Sequence, residues 1–81
     1  MTKFDKEHPI IKFDDLQPGF HKQDSLRIMV ASRGGLDRSY STILYVDEVK
    51  EMVIIEELHS SEWRTMTKRI FNNRSYRIAD E

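Results

Sequence analysis

The residues of this chain that can do chemistry are three histidines, two carboxylate pairs, a serine pair and a block of cations. His8, His21 and His59 lie far apart, and none stands at the H-x-x-x-H or HExxH spacing that sets two imidazoles on one metal. Exposed loop positions account for all three. Ser60 and Ser61 follow His59, but a nucleophile needs a base that is itself oriented, and adjacency in sequence does not supply one. Helix capping explains both serines more simply. The pairs Asp14–Asp15 and Glu56–Glu57 lack the Asp-x-Asp-x-Asp-Gly spacing of a calcium loop. Neighbours on a strand also point to opposite faces, so Glu56 and Glu57 do not converge on one ion. Ser32-Arg33-Gly34-Gly35, with Arg38 close behind, can offer amides and guanidinium groups to an anion. It matches neither Walker A nor GxGxxG, and no helix follows it, so a hairpin loop is the stronger reading. The absence of Cys removes disulfides, thiolate zinc sites and cysteine nucleophiles together. The expectation is a protein that is not an enzyme and has no metal or cofactor.

Charge is more informative than any motif. The 81 residues carry a formal charge of -1, but the charge is segregated along the chain. Segment 47–62 holds one basic and six acidic residues, whereas 63–79 holds five basic and none acidic. Two readings of the basic block Arg64, Lys68, Arg69, Arg74 and Arg77 compete. In one it neutralises phosphates, with Arg33 and Arg38 adding to it and Trp63, Tyr40 or Tyr76 stacking on bases. In the other, Arg64 and Lys68 face Asp47, Glu48, Glu51, Glu56 or Glu57 across the fold, and exposed pairs of that kind contribute only about 0–1 kcal/mol. A third use is a protein interface, because segregated charge with aromatic and Arg side chains steers and anchors protein association. A net charge of -1 disfavours a dedicated duplex binder.

The elements that must position these groups follow from periodicity. Leu, Ile, Val and Phe make up 21 of 81 residues, enough for a thin core in a single domain over residues 1–81. Residues 1–8 read as a flexible leader, and Ile10 to Phe13 as a short strand. Pro18-Gly19 gives a type II turn. Leu26 to Ala31 alternates as a strand, and Tyr40 to Val46 is a second, paired with it as a hairpin across the Gly34-Gly35 loop. Met52 to Ile55, β-branched at Val53, Ile54 and Ile55, favours a strand, although Val46, Val49 and Val53 also fit a helical stripe. Ser60 or Ser61 then caps a helix whose stripe is Trp63, Met66, Ile70 and Phe71, closed by Asn72 and Asn73. A short strand around Tyr76 and Ile78 ends the chain.

The fold class is therefore α+β: a small antiparallel sheet of three to four strands packed against one C-terminal amphipathic helix. Trp63 belongs to the core in this reading, and its replacement by Ala should cost about 3–5 kcal/mol. No apolar run is long enough to span a membrane, and the lack of Cys fits a reducing compartment, so a cytoplasmic location is expected. The expected role is a small intracellular binding protein, a regulator or inhibitor of a protein partner acting through its charge-segregated surface. A nucleic-acid-binding module using residues 64–77 with Arg33 and Arg38 is the alternative. A chain this small also gains from self-association, so a homodimer fits as well.

Overall fold

The computed structural model describes residues 7–22, 25–31 and 38–79. The described residues form six strands and one short helix of six residues. A 3-10 turn at Phe13–Asp15 precedes β1 (Gly19–Phe20), β2 (Arg27–Ala31), β3 (Arg38–Asp47), β4 (Met52–Glu57) and β5 (Trp63–Thr67). Then come α1 (Lys68–Asn73) and β6 (Arg77–Ile78). Every pairing is antiparallel, in the order β5-β4-β3-β2-β6, with β1 lying against the second half of β3 beyond the end of β2.

The expected β2–β3 hairpin is present, with Ile28 opposite Ser41 and Met29 opposite Tyr40. Arg33 and the Gly34-Gly35 pair lie outside the described residues. Met52 to Ile55 is a strand, not a helix. Its link to β3 needs no Asn-Gly, because the Asp47 carboxylate accepts from the Val49 and Lys50 amides (3.1 and 3.0 Å) and Glu51 takes φ 54°. Gly19 has φ 101°, as the Pro-Gly turn requires.

Three expectations fail. The sheet is larger than three to four strands, because two-residue β1 and β6 and the strand β5 all join it. The long helix from Ser61 does not exist. Trp63, Thr65 and Thr67 alternate with Arg64 and Met66, and aromatic and β-branched side chains suit a pleated surface better than a helix. Ser61 instead sits at φ 61° in the β4–β5 turn. The helix starts five residues later than the Trp63 stripe implies, capped by the Thr67 side chain, which accepts from the Ile70 amide (3.3 Å). Ile10 to Phe13 is likewise no strand. Ile10 makes one bridge to Arg77, and Phe13 begins the 3-10 turn.

The core comprises Ile11, Phe13, Leu16, Ile28, Ile43, Val46, Val53, Ile55, Met66, Phe71 and Tyr76. Phe71 stacks on Tyr76 (centroids 4.8 Å apart), and the Tyr76 hydroxyl donates to Met66 Sδ at 3.6 Å. Tyr76 adjoins β6 and Met66 lies in β5, so the two ends of the sheet curl together over the core. The N-terminal segment closes the remaining gap. The Ile11 amide donates to the Tyr76 carbonyl (2.9 Å), and the Phe13 amide to Asn72 Oδ1 (2.7 Å).

Burial thus moves the energetic weight from Trp63 to Phe71. Phe71→Ala should cost about 3–5 kcal/mol in urea denaturation, whereas Trp63→Ala should stay within about 1 kcal/mol of the parent. Burial also pushes the Tyr76 hydroxyl above its ordinary pKa of 10.0, with the Arg74 charge partly opposing it. A raised folded-state pKa gives stability that is complete below pH 10.0 and is lost as pH rises through the folded value. Urea midpoints measured from neutral pH upward should fall in that alkaline range, and Tyr76→Phe should flatten the fall.

Candidate functional site

A bulge in β3 creates the site. Ile43 pairs with Ile55 and Tyr45 with Ile54, so Leu44 is an extra residue between them. The insertion shifts the strand's alternation, letting Ile43 and Val46 both face the core. Leu44 and Tyr45 are left on the opposite, outer face. Residues directly opposite across strands share a face, so the register also places Phe20, Tyr45, Ile54 and Thr65 in one outer row. The adjacent row runs Trp63, Glu56, Thr42, Arg27.

Phe20, Tyr45, Ile54, Glu56 and Trp63 of these rows, with His21 and Leu44, line an open, mainly apolar cleft of about 590 Å³. Phe20 is 89% exposed and Trp63 71% exposed, values far above those expected of packed aromatics. The rings are nonetheless placed. Phe20 packs against Tyr45 (centroids 4.6 Å, tilted by 51°), and the Trp63 indole donates to Glu56 Oε2 at 3.4 Å. A second open cleft, about 700 Å³, is of mixed polar and apolar character and includes Arg27, Arg38, Tyr40, Glu57, Leu58 and His59.

The basic block is dispersed. Arg64 lies in β5 and pairs with Glu57 (2.9 Å). Lys68, in α1, pairs with Asp14 (3.1 Å) and Glu51 (3.5 Å). The Asp14 hydrogen bond and charge, reinforced by Glu51, hold the Lys68 ammonium above its ordinary pKa. Arg69 is exposed on α1, and Arg74 interacts with Tyr76. Arg77 donates to the His8 carbonyl at 2.8 Å. Tyr76 is 2% exposed and offers no stacking platform. Arg38 lines the second cleft, whereas Glu48 is exposed in the β3–β4 turn. Glu56 and Glu57 point to opposite faces, one to Trp63 and the other to Arg64. His21 hydrogen-bonds the Gln17 carbonyl (2.8 Å). Ser60 donates to Glu57 (3.3 Å) and caps no helix. Among the described residues no group of three His, Asp or Glu side chains is arranged to hold a metal ion.

Sequence reasoning missed Phe20, Leu44, Tyr45 and Ile54 as surface residues. One signal was present: Met52-Val53-Ile54-Ile55 is apolar on both faces, and a half-exposed strand needs only one apolar face.

No protein-family model matches this chain, and neither a curated protein nor a solved structure matches it.

The pairs are exposed enough to matter little. Arg64→Ala should lower stability by no more than about 1 kcal/mol in urea denaturation, because its partner Glu57 stays solvated.

Proposed function

We propose that this is a non-enzymatic binding protein, a regulator or inhibitor whose partner is another protein, docking on the outer face of the sheet around Trp63. One observation carries the reading: Trp63 and Phe20, 71% and 89% exposed, flank Tyr45 and Ile54 on hydrogen-bonded strands. Aromatic side chains fixed by a sheet lose little entropy on binding, and central aromatic anchors dominate protein interfaces. Exposed apolar patches of this kind on a small domain mark binding surfaces.

The charge pattern supports a protein over a phosphate polymer. Among the described residues, the charged side chain lining the apolar cleft is the Glu56 carboxylate, and no Lys or Arg lines it. Arg64 and Lys68 are engaged with carboxylates of the same chain. This shifts the expected surface from segregated charge to an aromatic face that includes a carboxylate, Glu56. The nucleic-acid alternative rests on a different observation, the cleft where Arg27 and Arg38 adjoin Tyr40, which is 42% exposed.

A comparison of captured proteins tests the choice. Wild-type protein should retain a partner from nuclease-treated lysate, and Phe20→Ala and Trp63→Ala should each lose it while melting normally. A nucleic-acid function predicts the reverse: binding of labelled single strands that weakens with salt by about 0.7 log units per contact, and that Arg38→Glu removes.

A further inference from the structure

The two ends of the sheet differ in how their edges are finished. Beside β6 lies the segment Pro9–Ile11, whose Pro9 carbonyl accepts from the Ile78 amide (3.2 Å) and whose Ile11 amide donates to Tyr76 (2.9 Å). Proline has no amide to offer a further strand, so that edge is blunted. The β5 edge is not. The Glu57 amide donates to the Glu62 carbonyl (2.9 Å) and the Lys68 amide to the Glu51 carbonyl (2.8 Å). With the β4–β5 register, this makes Arg64 and Met66 the residues whose backbone faces β4. The amides and carbonyls of Trp63 and Thr65 therefore point away from the sheet, and no hydrogen bond among the described residues uses them.

Resting on the proposed protein-binding role, we infer that the β5 edge takes up an extended segment of the partner as an additional strand, and that this segment carries a Lys or Arg on its outer face. The backbone of Trp63 and Thr65 supplies the ladder, and the side chains set the preference. Segment residues opposite Trp63 and Thr65 fall on the outer face, where an apolar side chain extends the surface made by Trp63 and Ile54. Glu56 lies two strands from the added one, about 10 Å away, within reach of an extended cationic side chain crossing the Trp63 ring. Its carboxylate already receives the indole N–H and has acceptor capacity left.

The test uses synthetic peptides of about ten residues with alternating apolar positions, a length matching natural strands. One series carries Lys on the apolar face, and a matched series carries Glu there. Titration into the labelled protein should shift the amides of Trp63 and Thr65 and slow their exchange with solvent. The Lys series should bind at least ~10-fold more tightly, and Glu56→Gln should erase that difference. Thr65→Pro removes an outward amide not needed for pairing with β4, so it should abolish binding without loss of the fold. Should that variant unfold, peptides N-methylated at alternate amides carry the test, since they must fail to bind the unaltered protein. Binding lost in Trp63→Ala but kept in Thr65→Pro and by N-methylated peptides would overturn strand addition and leave the docking face standing. Binding indifferent to all of these would overturn both. A dimer that Thr65→Pro turns into monomers, with no peptide bound, would show that the edge belongs to a second copy and would overturn the inference.

Discussion

The extra residue in β3 is the constraint on which the rest of the structure depends. Side chains on a strand alternate, so a regular β3 would put Ile43 and Tyr45 on one face and Leu44 and Val46 on the other. The bulge at Leu44 breaks that parity. Ile43 and Val46 can then meet Ile55 and Val53 inside, while Leu44 and Tyr45 gather outside with Ile54. A bulge also sharpens local twist, which helps a sheet curl far enough for Tyr76 to reach Met66. One inserted residue therefore shapes both the core and the surface opposite it.

The outer surface has an energetic character of its own. Its aromatics make few contacts and contribute little to folding, and they hold their positions because the strands beneath them are held by the core. Fold and surface can vary separately, since changes at Phe20 or Trp63 leave Phe71, Tyr76 and Ile28 untouched. The charges behave similarly. Arg64 with Glu57 and Lys68 with Asp14 and Glu51 tie neighbouring elements together on the surface without being buried. The small net charge of -1 is in part the sum of such local pairs.

Much of the sheet was legible in the sequence because its signals are local. Leu26 to Ala31 alternates, Tyr40 to Val46 is rich in β-branched and aromatic residues, Val53 to Ile55 is β-branched, and Pro18-Gly19 dictates a positive φ. The stretch from Trp63 to Phe71 was not legible, because its apolar residues satisfy a helical stripe and an alternating strand followed by a short helix almost equally. The choice lies in tertiary pairing: Val53 opposite Met66 buries both in a way that a helix starting at Trp63 would not. The bulge is equally silent, since nothing in Ile43-Leu44-Tyr45 announces an extra residue. Without it the outward aromatic face could not be located, and Trp63 looked like core. The dispersal of the basic block was hidden for a related reason, as Asp14 is distant from Lys68 in sequence and reaches it only through the fold.

The N-terminal clasp has a kinetic meaning. Strands β2 to β5 form a meander whose neighbours in space are neighbours in sequence, so their pairing closes short loops at little entropic cost. The bond between Phe13 and Asn72 joins residues 59 apart. Contacts of such separation reward the chain only after the intervening residues are ordered. The meander is thus the natural nucleus of folding, and the Pro9–Leu16 segment is its last fastener, shutting Phe71 and Tyr76 away from water once the sheet has curled.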